Sequence, residues 1–153
     1  MAEYSNNAIQ TVNPGETVIF TEAPVPCNRG FVRHRDDTGN FLLTCWVPRK
    51  NCGCRAKSAV YLADFGANIA IPTGGTVGPM SLALTIDGTT IPSTTMIVTP
   101  AAVEEYFNVS RAANVQVWNG CCQSFAIRNT SEQPILVQNA NVIFDRPDLA
   151  VSY

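Results

Sequence analysis

The sequence predicts an all-β domain, built as a sandwich or barrel of short antiparallel strands. Apolar and β-branched residues recur in short runs, and Gly, Pro, Asn and Asp separate these runs at close intervals. No window keeps an apolar period of 3.6 residues long enough to predict a helix. A length of 153 residues corresponds to one domain with its own core.

The predicted strands follow one another in ten runs, and several are joined by recognisable turns. The runs are 16–20, 30–35, 40–47, 59–71, 80–86, 94–99, 107–109, 115–118, 124–128 and 135–145. Asp36-Asp37-Thr38-Gly39, Asp87-Gly88 and Asn119-Gly120 have the composition of hairpin turns. We therefore expect an N-terminal arm (1–15), a strand-rich domain (16–146) and a C-terminal tail (147–153).

The last run is unusual because it is apolar at both alternating sets of positions. A strand with one face in water should be polar on that face. One set carries Leu136, Ala140, Val142 and Phe144, and the other carries Ile135, Val137 and Ile143 together with Asn139 and Asn141. Either a loop of the same chain covers the second face, or a neighbouring subunit does. The second interpretation predicts an oligomer interface at Ile135, Val137, Asn139, Asn141 and Ile143.

Composition and charge limit the classes of partner. Charged residues are 14% of the chain and the net charge is −2, with no Lys/Arg run, so nucleic acid and anionic membranes are not expected partners. No apolar run reaches the roughly 18 residues of a membrane span. The low charge indicates that other subunits cover part of the surface. The first residues lack the pattern of a secretory signal.

Six cysteines leave three interpretations open: disulfide cross-links, a metal site, or reduced thiols. Cross-linking within or between subunits has six candidates: Cys27, Cys45, Cys52, Cys54, Cys121 and Cys122. A zinc site would draw on Cys27, Cys52, Cys54, Cys121 and Cys122, although Cys-x-Cys is a weaker match to a zinc knuckle than Cys-x-x-Cys. The basic residues around Cys52 and Cys54 favour thiolate and so favour thiol exchange.

No other residues form a pattern typical of catalysis. His34 is the only histidine, and it lies between two arginines. The carboxylates lie in turns, with no calcium-binding ladder and no glycine loop for phosphate. We therefore expect neither an enzyme nor a cofactor. Trp46 and Trp118 are the candidate ligand-binding aromatics.

Several segments resemble the tumour-necrosis-factor-like jelly roll of bacterial collagen-like spore-surface glycoproteins and of related prophage and anaerobe proteins. These segments are 13–20, 61–65, 81–88 and the closing Val137-Gln138-Asn139-Ala140-Asn141-Val142-Ile143-Phe144. The resemblance implies an antiparallel two-sheet jelly-roll sandwich and a compact homotrimer whose inner sheet is buried at the threefold axis. No Gly-x-y repeat precedes the domain, so the family's collagen-like stalk is missing from this sequence.

The expected function is that of a non-enzymatic structural subunit. Its first partner is itself, as a homotrimer or larger assembly, on the surface of a spore, phage particle or bacterium, with disulfide cross-links between loops. Assembly inside the cell would fit the missing signal. The alternatives are a loop-based adhesin or receptor-binding head for a glycan or host protein, a subunit of a covalent filament, and a zinc-stabilised domain.

Overall fold

In the computed structural model, most of the chain forms β-strands whose side chains are alternately buried and exposed. The structure describes residues 1–27, 31–48, 53–55, 58–118 and 122–147, with only the backbone for 46–48 and 53–55. The one complete helical segment among them is a 3-10 turn, Pro92–Thr94. The strands in chain order are β1 (Ala2–Asn6), β2 (Gln10–Val12), β3 (Glu22–Val25), β4 (Val32–His34), β5 (Phe41–Thr44), β6 (Trp46–Pro48), β7 (Gly53–Arg55), β8 (Ser58–Ala70), β9 (Met80–Ile86), β10 (Thr89–Thr90), β11 (Met96–Val98), β12 (Phe107–Trp118), β13 (Cys122–Asn129) and β14 (Ile135–Asp145).

Two antiparallel sheets face each other across the core. Sheet A has the order β12-β8-β14-β1-β3, with β2 also paired to β14, and sheet B has the order β10-β9-β13-β5-β4, with β11 paired to β9. A separate hairpin joins β6 and β7. Strands distant in sequence are therefore neighbours, as in a jelly roll, and the predicted two-sheet sandwich is confirmed.

Aromatic rings fill the centre of the core between the sheets. Phe41 on β5 is fully buried and lies among five other rings, with centroid distances of 4.5–6.3 Å. These neighbours are Tyr4, Phe20, His34, Phe125 and Phe144. Tilted and edge-on pairs predominate, which is the arrangement that ring quadrupoles favour, so the cluster stabilises the contact between the sheets.

Two of the three predicted hairpins form. β4 and β5 pair around the 36–39 turn, and β9 pairs with β10 around Asp87 and Gly88, which both have positive φ (49° and 80°). The hairpin expected at Asn119-Gly120 is wrong, because β12 belongs to sheet A and β13 to sheet B. Val117 and Phe125 both point into the core, but from opposite sheets.

The closing strand β14 changes its inward-facing side at a bulge. Its register with β8 shifts between Gln138 and Asn141, and Asn139 has a φ of 54°. Before the bulge the buried residues are Ile135 and Val137, and after it they are Ala140, Val142 and Phe144. The bulge explains why the sequence is apolar at both sets of positions. Ile135 and Val137, predicted at an oligomer interface, instead lie in the core of the single chain.

The N-terminal residues are part of the sandwich. Residues 1–15, expected as an arm, contribute β1 and β2 to sheet A, where both pair with β14. The predicted strand at 16–20 makes only isolated bridges, from Thr17 to Arg128 and from Phe20 to Thr38. Of the expected tail, 148–153 lies outside the described residues.

Candidate functional site

The widest candidate surface is the outward side of sheet A, formed by β12, β8 and β14. We call these outward-facing residues the outer face of sheet A. They are Asn108, Ser110, Ala112, Asn114, Gln116 and Trp118 on β12, Ser58, Val60, Leu62, Asp64, Gly66 and Asn68 on β8, and Leu136, Gln138, Asn139, Asn141, Ile143 and Asp145 on β14. Asp64 and Asp145 are its only charged residues. Charged side chains are thus 2 of its 18 residues, both acidic, whereas about one-quarter to one-third of a solvated surface is charged.

A row of side-chain amides crosses the outer face from strand to strand. The Asn108 amide nitrogen donates to Asn68 Oδ1 at 3.2 Å, and the Asn68 amide nitrogen donates to Asn139 Oδ1 at 3.3 Å. Asn141 donates to the carboxylate of Glu3 on β1. Because the amides pair with one another, the face presents polar groups in a fixed arrangement without charge.

Apolar side chains border the amide row and remain open to solvent in the single chain. Leu62 is 37% exposed and Trp118 is 62% exposed, and both lie toward the end of sheet A where β8 begins. Ile143 is half-buried opposite Asp64. At the middle of the face lie Gly66 and Ala112, whose side chains are absent or small, so no large side chain projects there. A sparsely charged face that mixes amides with apolar side chains is typical of a protein contact.

The outer edge of sheet A is a second candidate surface. All twelve residues of β12 pair with β8, and no other strand of the described chain pairs with its free edge. Proteins usually protect such edges with Lys, Pro, bulges or very short strands. β12 has none of these, and its only charge, Arg111, has its guanidinium folded onto the carbonyl oxygen of Thr95 at 3.3 Å.

The structure brings together only part of the predicted interface. Asn139, Asn141 and Ile143 lie on the outer face, beside Asn68 and Asn108, which sequence reasoning missed. Trp118 lies there as well, and Trp46 begins β6, where only the backbone is described. The signal was the recurrence of polar residues at alternate positions of β12, at Asn108, Ser110, Asn114 and Gln116. It was missed because the middle of this strand, 110–114, contains no β-branched residue.

The cysteines described are dispersed. Cys45 is buried, with its Sγ donating to the carbonyl oxygens of Val117 (3.2 Å) and Trp118 (3.4 Å), so it links sheet B to β12. Cys27 is a half-exposed free thiol, and Cys122 begins β13. Among the described side chains, no three His, Cys, Asp or Glu residues converge as metal ligands. Cys52 and Cys121 lie outside the described residues and Cys54 lies in β7, so the cross-link and zinc predictions for them stay predictions.

Beside Trp118, a buried polar cluster closes the end of the sandwich. The Tyr61 hydroxyl lies 2.7 Å from the carbonyl oxygens of both Phe31 and Thr44, to one of which it donates its single proton at a time, and it accepts from the Thr44 N–H at 3.2 Å. The Arg146 guanidinium lies 5.0 Å from the Tyr61 ring centroid and 5.2 Å from that of Phe31. Burial raises the pKa of Tyr61, so its hydroxyl remains a neutral donor. These contacts fix both sheets relative to each other at this end.

The lone histidine is half-buried beside the aromatic rings of the core. The His34 Nε2 donates to the carbonyl oxygen of Thr38 at 2.9 Å, and the ring stacks on Phe41. A nearby tyrosine, Tyr4, has its pKa raised by burial and by its electrostatic interaction with Cys27. No helix in the described residues has the length and apolarity needed to cross a membrane.

Comparisons with known proteins place the fold. No protein-family model matches the chain, and no curated protein matches its sequence. Among solved structures, the globular domain of zebrafish complement 1qA protein is 12% identical, with 93% of this chain and 94% of that chain covered and a TM-score of 0.52. Rabbit GITRL is 10% identical (95% and 94% covered, TM-score 0.42), and pika GITRL is 12% identical (96% and 99% covered, TM-score 0.45). At these identities the likeness concerns the fold alone, and the chain is a jelly-roll sandwich similar to the complement 1qA globular domain.

Proposed function

We propose that this chain is a non-enzymatic interaction subunit that assembles with copies of itself through sheet A. The nearly charge-free outer face of sheet A is the observation that supports this proposal most. A surface of amides, small residues and Leu62, Ile143 and Trp118 loses little solvation of charge when covered, so its burial is favourable.

The free edge of β12 supplies the other half of the proposed contact. The edge of one copy lies against the outer face of the next, so the two surfaces in contact differ. Such a heterologous contact closes into a ring when the rotation between copies allows it. Three copies is the number that the resemblance to tumour-necrosis-factor-like domains implies. The proposed setting, also carried over from that resemblance, is the outside of a spore or phage particle.

A charge placed on the outer face tests this assembly. Leu62→Asp introduces a carboxylate at a 37% exposed position on sheet A, and Leu42→Asp does the same at a 39% exposed position on the outward side of sheet B. The two variants match in residue type and in exposure, but their cross-strand neighbours differ, because Leu62 lies opposite Asp145 and Leu42 lies opposite Arg33. Light scattering after size exclusion should give about 50 kDa, three times 16.5 kDa, for the unsubstituted protein and for Leu42→Asp.

For Leu62→Asp we expect the monomer mass at micromolar concentration, because each contact would bury an unpaired carboxylate. Circular dichroism should show the same strand content in both variants. A monomeric unsubstituted protein would refute the proposal. So would a trimer that Leu62→Asp leaves intact, since the contact would then lie elsewhere.

A further inference from the structure

A groove lies at the end of the sandwich opposite Trp118, away from the outer face of sheet A. It is formed by 76–79 before β9, by Ser81, and by 130–133 between β13 and β14, and we call it the end groove. Its volume is about 630 Å³, which falls within the roughly 300–1,000 Å³ of small-molecule sites. The groove therefore has room for a ligand and does not overlap the proposed assembly surface.

The walls of the end groove are held in place by paired hydrogen bonds. The Gln133 side chain accepts from the Thr76 N–H at 3.1 Å and donates to the Thr76 carbonyl oxygen at 2.7 Å, so one amide joins the two loops. Buried Asn129 accepts from the Ser131 N–H at 2.8 Å and donates to the Gln133 carbonyl oxygen at 3.0 Å. Ser131 Oγ accepts from the Ser81 N–H at 2.8 Å. Preorganised walls lower the entropy cost of binding.

The polar groups left open in the groove are a carboxylate and hydroxyls. Glu132 is exposed and makes no ion pair or hydrogen bond with the described residues, and Thr76 Oγ1 is similarly open. Ser81 Oγ and Thr130 Oγ1 share one hydrogen bond of 2.7 Å and keep further capacity. Among the described residues, no Lys or Arg lines the groove. An unpaired carboxylate with hydroxyls favours a ligand rich in O–H groups and disfavours an anion.

One side of the groove is apolar. Val77 is 47% exposed and lies with Pro79 against the hydroxyl-bearing wall. A pyranose ring has the matching chemistry, because its equatorial hydroxyls lie around a face of aliphatic C–H groups. The C–H face would contact Val77 and Pro79 while vicinal hydroxyls donate to Glu132.

We propose that the end groove binds a neutral saccharide of one or two pyranose units. The proposal is independent of the assembly through sheet A, since none of the groove residues belongs to the outer face. It gives the subunit a recognition site in addition to a structural role.

Two variants test the site without disturbing the core. Glu132→Gln keeps the shape of the side chain and removes its charge. Gly78→Val fills the groove, because a Cβ at Gly78 meets nothing closer than Gln133 Nε2 at 3.9 Å and its φ is outside the glycine-only region. The matched control is Glu22→Gln, an equal loss of charge on exposed β3.

The measurement is titration of ¹⁵N-labelled protein with methyl glycosides of glucose, galactose and mannose and with N-acetylglucosamine, at millimolar concentrations. We expect saturable shifts of amides 76–78 and 130–133 with at least one of them, and none with N-acetylneuraminate, which is anionic. Glu132→Gln should weaken binding about tenfold, as expected for one charge-assisted hydrogen bond. Gly78→Val should abolish binding, and Glu22→Gln should leave it unchanged.

The absence of shifts with all four sugars would overturn the proposal. Shifts confined to other residues, tighter binding of N-acetylneuraminate, or unchanged affinity in Gly78→Val would do so as well. Light scattering on the same samples reports the oligomer separately. A monomer that binds sugar would reject the assembly alone, and a trimer that binds none would reject the groove alone.

Discussion

The hydroxyl of Tyr61 offers the sharpest test of how the two sheets are held together near Trp118. Tyr61 is fully buried, and its hydroxyl accepts one hydrogen bond from the Thr44 N–H and donates its proton to the carbonyl oxygen of Phe31 or Thr44. Tyr61→Phe removes these bonds while keeping the ring. Loss of a buried hydrogen-bonding partner costs about 1–3 kcal/mol. For a domain of this length, a loss of about 2 kcal/mol lowers Tm by about 4–8 °C.

The pH dependence provides a second, independent signature. Burial raises the pKa of Tyr61 above its ordinary value near 10, so the unfolded chain loses this proton at a lower pH than the folded chain does. The stability that the neutral hydroxyl contributes is therefore complete below about pH 10 and is lost as the pH rises through the raised pKa. Tyr61→Phe has no such proton, so its stability should fall less steeply over the same range.

Urea unfolding at equal protein concentration, at about pH 7 and about pH 11, measures both effects. Tyr106→Phe is the control, because Tyr106 is 37% exposed and its substitution should change stability by less than about 0.5 kcal/mol. If the free energy of unfolding of Tyr61→Phe is within about 0.5 kcal/mol of that of the unsubstituted protein at neutral pH, the hydroxyl does not hold the two sheets together.

Two further predictions concern packing and thiol access. A Cβ at Gly39 would overlap Thr17 Oγ1 and the Val18 carbonyl oxygen, so Gly39→Ala should cost about 1–3 kcal/mol in urea unfolding. Gly66→Ala on the outer face should cost less than that, since its Cβ meets only the Val109 oxygen at 3.8 Å; equal losses would contradict the packing. Maleimide labelling followed by peptide mass mapping should modify half-exposed Cys27 in the native protein and Cys45 only after denaturation. Equal labelling of Cys27 and Cys45 in the native protein would show that Cys45, near Trp118, is accessible to solvent and not buried.

The sequence predicts the strands best where apolar and β-branched residues mark an inward face. The run at 80–86 coincides with β9, and the run at 135–145 coincides with β14. β12 was predicted only at its two ends, because Ala112, Ala113 and Asn114 have low strand propensity. Continuous pairing with β8 overrides that local preference. The run at 16–20 has strand composition but finds only isolated bridges.

The candidate site could be predicted only in part, because it depends on which strands become neighbours. Asn139, Asn141 and Ile143 were predicted from β14 alone. Asn68 and Asn108 join them only through the order β12-β8-β14, which brings together residues 40 and 71 positions apart. The bulge at Asn139 was equally out of reach, since a register shift is defined by the partner strand. In a strand without the bulge, simple alternation places Ile135 and Val137 on the same side as Ile143.

The bulge at Asn139 divides β14 into two half-strands of opposite phase. In the first half the odd-numbered positions require apolar side chains, and in the second half the even-numbered ones do. Polar substitutions should therefore be tolerated at even-numbered positions before the bulge and at odd-numbered positions after it. The same extra residue turns Asn141 and Ile143 outward and Val142 and Phe144 toward the interior. The number of residues in this strand therefore determines which side chains face outward as strictly as their identity does.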